Sequence, residues 1–159
     1  MQERSSIMEK KITTFLQKEI DQKHIPGAVI QVNHKGEVVF EEALGWRIDY
    51  EEEQEPMRID TVFDLASLTK VVATLPSVLK LVDEGEIALG DPVAHFIPEF
   101  STNDKTEITL LNLLTHTSGR TSHRKFYQEK LNKEEIVKKI YEETLEYETG
   151  SKVFYSDLG

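Results

Sequence analysis

The chain has 159 residues, enough for one ordinary domain with its own core. With 38% apolar and 30% charged residues it has a globular composition, not a disordered one. Its formal charge of −10 argues against a nucleic-acid partner, whose phosphates need clustered Lys and Arg, and no apolar run reaches the length of a membrane span.

The N-terminus, Met1-Gln2-Glu3-Arg4-Ser5-Ser6-Ile7, lacks the basic and then apolar run of a signal peptide. The chain as written is therefore expected in the cytoplasm, and outside it if a leader has been trimmed away. There is no cysteine, which rules out disulfides and a thiol nucleophile. Ile12, Phe15, Leu16 and Ile20 recur at helical spacing and predict an amphipathic helix from about Ser6 to Lys23, stopped by Pro26-Gly27. Ala28–Val32 and Val38–Leu44, separated by His34-Lys35-Gly36, read as a β-hairpin. Glu51 to Pro56 reads as a charged, solvated loop.

The most apolar segment follows. Lys70 to Glu84 carries Val71, Val72, Leu75, Val78, Leu79, Leu81 and Val82, with Gly85 at its C-terminal cap. Apolar residues cover most of its circumference, so a buried helix is expected, kinked at Pro76. Asp91-Pro92 reads as an N-cap with proline in the first helical position. Thr109 heads a short helix through Leu114, which ends in Thr117-Ser118-Gly119. Asn132 with Glu135 starts another, carrying Ile136, Ile140 and Leu145. The order is helix, hairpin, buried helix and then a mainly helical stretch, an α+β arrangement. Two strands do not make a stable sheet alone, so either the hairpin packs on a helix or further strands belong to the fold.

Ser67-Leu68-Thr69-Lys70 is a Ser-x-x-Lys pattern. On a helix, residues three apart share a face, so a lysine can reach the serine hydroxyl and activate it. The pattern alone is weak, because Ser77 with Lys80 and Ser122 with Lys125 match it too. Ser67 alone stands between an apolar lead-in and the first turn of the apolar helix. Ser77 lies mid-helix, where the backbone would occupy its hydroxyl, and Ser122 lies in a charged loop. Far downstream comes Phe154-Tyr155-Ser156-Asp157-Leu158-Gly159. A tyrosine beside a serine–lysine pair can shuttle a proton, since the ammonium lowers the phenol pKa; alone it reads as a loop tyrosine packed on the core.

Phe63 to Lys70, Leu113-Leu114-Thr115-His116-Thr117-Ser118-Gly119, and Gly150 through Gly159 together resemble the serine β-lactamase-like family of class C β-lactamases, DD-carboxypeptidases and esterases. The resemblance implies the β-lactamase/transpeptidase-like fold. Residues 1–100 would form the N-terminal part of its α/β domain, and 101–159 part of its helical subdomain. It implies Ser67 as the acylated nucleophile, Lys70 as its activator and Tyr155 as general base and acid. His116 reads as a turn-stabilising residue.

Asp157 stands where the family's Tyr-x-Asn motif has asparagine, a contact for the lysine and the substrate amide. A carboxylate there would raise the Lys70 pKa and shift the work of the base toward Tyr155. It also removes an amide donor for substrate. The third family motif, Lys or His followed by Thr or Ser and Gly, is missing, so the sequence is expected to be the N-terminal part of a longer enzyme and of low activity by itself. The implied partner is a small-molecule or peptide substrate (a β-lactam, a D-Ala-D-Ala peptide or an ester). The missing C-terminal part or self-association is a further expectation. No cofactor is implied, and His24, His34, His95, His116 and His123 have no metal-ligand spacing. The competing reading is a non-catalytic ligand-binding or interaction module on the same scaffold.

Overall fold

A computed structural model describes the backbone of residues 2–159 and the side chains from residue 7 onward. The chain packs as two units that divide between Asp64 and Leu65.

In the first unit, helix α1 spans Gln2–Asp21. Of the predicted apolar stripe, Ile12, Leu16 and Ile20 are half-buried, while Phe15 stays exposed. Strands β1 (Gly27–His34) and β2 (Glu37–Tyr50) form the expected hairpin. Its two loop residues, Lys35 and Gly36, both have positive φ (54° and 88°), the turn geometry whose twist matches paired strands. Gly27 pairs with Gly45 across the strands. At Gly45 a Cβ would sit 2.5 Å from the Pro26 carbonyl oxygen and 3.1 Å from the Ile20 side chain, so the chain can approach there only without one. Thr13 of α1 donates to the Glu42 carboxylate of β2 and ties helix to sheet.

The segment expected as a charged loop is in part a strand. Residues Glu53–Pro56 form β3, antiparallel to the end of β2, with Tyr50 opposite Glu53 and Ile48 opposite Glu55. Main-chain pairing needs no apolar side chains at a solvated edge, and charges on an edge strand deter further pairing. Pro56, at the strand's end, has no N–H to give, as such a position tolerates. The sheet order is β1-β2-β3.

The second unit begins with a 3₁₀ turn, Ala66–Leu68, followed by a π-helical turn, Lys70–Thr74, and helix α2, Leu75–Asp83. Pro76 lies in the first turn of α2, where a missing N–H costs little, and not inside one long helix as expected. Gly85 (φ 74°) closes α2. Its N–H bonds to the Val82 carbonyl and that of Glu86 to Leu81, the paired bonds of a left-handed cap. The expectation that this segment is buried on several sides is not met. Val71, Val72, Leu79 and Leu81 are 41–57% exposed, because no described element covers those faces.

The core of this unit lies further on. Helix α3 (Val93–Phe96) is capped by Pro92 and not by Asp91 as expected. The Asp91 carboxylate instead accepts the Ala88 N–H at 2.7 Å, a bond that holds the preceding turn. Val93, Phe100 and Ile108 are buried, and Leu110, Leu113, Tyr141 and Leu145 pack around them. Helices α4 (Leu110–Leu114) and α5 (Lys133–Glu142) start as expected, each with a reciprocal capping box, Thr109 with Asn112 and Asn132 with Glu135. Leu145 lies beyond α5, not on it, and reaches the core from the following loop. Lys105 is fully buried, with its ammonium on the carbonyls of Tyr141 and Glu143. Arg120 donates to the Ile140 carbonyl at 2.8 Å. Both cations therefore serve the orphan carbonyls at the C-terminal end of α5, where positive charge is favoured.

Candidate active site

Two stretches without regular structure run side by side and build the site. The Glu146 N–H bonds to the Gly119 carbonyl, Gly150 to Thr117, Phe154 to His116 and Asp157 to Ser122, each at 2.8 Å. Ser156 is buried, with its hydroxyl on the Thr121 carbonyl at 2.6 Å. At Gly119 (φ 86°) a Cβ would fall 2.4 Å from the Tyr147 carbonyl oxygen, so only glycine lets the two stretches lie this close. The segment after α4 and the segment holding Tyr155 are thus one structural object.

That object faces Ser67. The Tyr155 hydroxyl is 2.7 Å from Ser67 Oγ and hydrogen-bonded to it, a contact 88 positions apart in sequence. Ser67 sits in the 3₁₀ turn, directly after Ala66, whose φ of 43° is uncommon for a residue with a Cβ. Lys70 Nζ lies 5.1 Å from the Tyr155 ring centre and 3.3 Å from Asp157 Oδ1. The other oxygen of Asp157 is 3.4 Å from His123 Nδ1. Ser67, Lys70, Tyr155 and Asp157, all singled out by sequence, are brought together. Ser77 is not among them: its hydroxyl is on the Ala73 carbonyl at 2.8 Å, as a mid-helix position implied.

The charges in this group act on one another. Hydrogen bonding to Tyr155 is the largest influence holding the Lys70 ammonium above its ordinary range; partial desolvation opposes it and Asp157 adds to it. The direction matches what Asp157 implied, but the phenol contributes more. Tyr155 is held below the ordinary phenol range, first by its hydrogen bond with Ser67 and then by Lys70, with the Asp157 charge working against both. Chemically, such an arrangement can take a proton from a serine hydroxyl and keep the resulting phenol close to a cation.

Sequence reasoning passed over His123 and the loop beside it. Ser122 reads in sequence as a chance match in a charged loop, yet its carbonyl anchors the Asp157 N–H and the next residue reaches the Asp157 carboxylate. Beside Lys70 an apolar cavity of about 220 Å³ is lined by Val71, Leu75, Val78, Leu113 and His116. Among the described residues, no group of three or more His, Asp or Glu side chains is placed to hold a metal ion. Nor is any helix among them long and apolar enough to cross a membrane.

Comparisons with known proteins bear on the family and the fold. Residues 9–159 match the family model described as Beta-lactamase. "Esterase EstB" of Burkholderia gladioli is 43% identical over 102 residues, covering 62% of this chain and 25% of that protein. "N-acetylmuramyl-L-alanine amidase" of Bacillus subtilis (strain 168) is 32% identical over 152 residues, covering 84% of this chain and 34% of that protein. A solved class C beta lactamase superposes with a TM-score of 0.73 at 24% identity, over 96% of this chain and 41% of that one. The fold is therefore part of the β-lactamase/transpeptidase-like fold, and the chain spans about a third or less of the curated relatives named here.

Proposed function

The chain belongs to the Beta-lactamase family, and on that premise we propose that it carries the nucleophilic half of a serine hydrolase site working through an acyl-serine intermediate. The single observation that carries this reading is the 2.7 Å hydrogen bond between Tyr155 and Ser67, with Lys70 alongside. In the first step Tyr155, ionised as the phenolate, takes the Ser67 proton while Ser67 Oγ bonds to the substrate carbonyl carbon. Collapse of the tetrahedral intermediate breaks the bond to the leaving alkoxide or amine, which receives that proton from Tyr155. Water then repeats the cycle on the acyl-serine, with Tyr155 again taking and returning one proton. Lys70 stays charged throughout and stabilises the phenolate, and Asp157 holds Lys70.

The substrate is an amide or ester; the names of the esterase and amidase relatives agree with both classes. The α/β part to residue 100 and the helical part after it would each be completed by chain that the relatives carry beyond the matched region. A backbone N–H donor for the oxyanion would come from there too. Such a donor is worth about a hundred- to a thousandfold in rate, so the 159 residues alone should be poor catalysts.

Labelling tests the reading. The complete protein and its Ser67→Ala variant are incubated with a fluorescent penicillin and with a fluorophosphonate. A serine-dependent adduct with either probe is expected. No adduct with either would favour a module that binds ligands in this cleft without chemistry.

A further inference from the structure

His116 lies outside the proposed proton path, yet it touches three successive residues around Tyr155. Its carbonyl accepts the Phe154 N–H at 2.8 Å. Its ring lies against the Tyr155 ring, centroids 4.5 Å apart and planes at 39°. Its Nδ1 accepts the Ser156 N–H at 3.3 Å. Accepting there uses the lone pair of Nδ1.

The backbone adds an independent observation. Helix α4 ends in a left-handed cap: the His116 N–H bonds to the Leu113 carbonyl and the Thr117 N–H to Asn112. His116 occupies the left-handed position of that cap, with φ 56°, where glycine is the usual residue. Gly85 fills the same position after α2. A histidine there carries a backbone cost that glycine would avoid, and glycine would have no ring to offer. Strained residues that persist cluster where their side chain is used.

We propose that His116 is a positioning residue for Tyr155. Its ring sets the plane of the phenol, and its Nδ1 fixes the peptide that follows, so that Tyr155 Oη stays within reach of Ser67 Oγ. This role rests on the reading of Ser67 and Tyr155 as the reacting pair.

The test compares His116→Gly and His116→Asn in the complete protein, reading kcat, KM and Tm. Glycine suits the left-handed cap and removes the ring; asparagine tolerates that conformation and keeps a short side-chain acceptor. His116→Gly is expected to keep or raise Tm, leave KM within about twofold and lower kcat by about ten- to a hundredfold, the scale of a small misplacement of a reacting group. His116→Asn should recover part of that loss. A wild-type kcat in His116→Gly would overturn the proposal. So would a fall of kcat that follows a fall of Tm in both variants, because the residue would then serve the fold alone. Peptide mapping of the acylated wild-type protein separates the two failures. An acyl group on Ser67 with full activity in His116→Gly overturns only the positioning role, whereas an acyl group elsewhere overturns the reading of the site and this role with it.

Discussion

Tyr155 and Lys70 influence each other's protonation, and Asp157 biases both in the same direction. Its carboxylate raises the Lys70 pKa and works against the lowering of the Tyr155 pKa. Replacing it with asparagine removes a negative charge from both, so both pKa values should fall. If activity needs Tyr155 deprotonated and Lys70 protonated, the acid limb of the kcat/KM profile follows Tyr155 and the alkaline limb follows Lys70. Asp157→Asn is expected to move both limbs to lower pH, measured as kcat/KM against pH. Limbs that stay in place would mean that Asp157 is electrically remote from the reaction. At this scale the sequence was informative where a residue's setting is local. Ser77 could be rejected because a mid-helix hydroxyl bonds back to the preceding turn, as it does to Ala73. His123 could not be found, because its contact with Asp157 spans irregular chain and leaves no periodicity to read.

Elements divide along the same line between local and distant causes. The capping boxes at Thr109 and Asn132 and the glycine after α2 are written in a few adjacent residues, and all three are in place. Strand β3 was hidden because its signal is main-chain pairing with β2, which charged side chains do not advertise. The buried Lys105 was equally hidden: its partners are carbonyls at the end of α5, more than thirty residues away. Lys105→Met should leave the Glu143 carbonyl without a side-chain donor among the described residues and weaken the hold on Tyr141. The expected loss is about 2 kcal/mol, since a buried polar group left unpaired costs on the order of 1–3 kcal/mol. Chemical denaturation would read it as a lower midpoint with an unchanged slope. A variant as stable as wild type would show that water or another donor replaces the ammonium.

At the scale of the whole molecule, α2 and the turn before it carry exposed apolar side chains. Val71, Val72, Leu79 and Leu81 are partly exposed, together with Leu65 and Leu68 just ahead of them. Apolar positions in a helix are legible from sequence, but which of them are covered depends on neighbours, and the relatives are far longer than the matched region. The 159 residues purified alone are expected to associate with rising concentration and to bind a hydrophobic dye, by sedimentation and fluorescence. They should also hydrolyse nitrocefin far more slowly than a complete enzyme. A monomeric, dye-silent chain with full turnover would contradict the reading that part of the site and of its cover lies elsewhere.

The acyl group itself is the most direct object to measure. The complete protein is quenched in acid during turnover of an activated ester, digested, and mapped by mass spectrometry. The acyl group is expected on the peptide that holds Ser67, and it should vanish in Ser67→Ala. An acyl group on the peptide of Ser77 or Ser122, or none at all in a protein that still consumes the ester, would contradict Ser67 as the nucleophile.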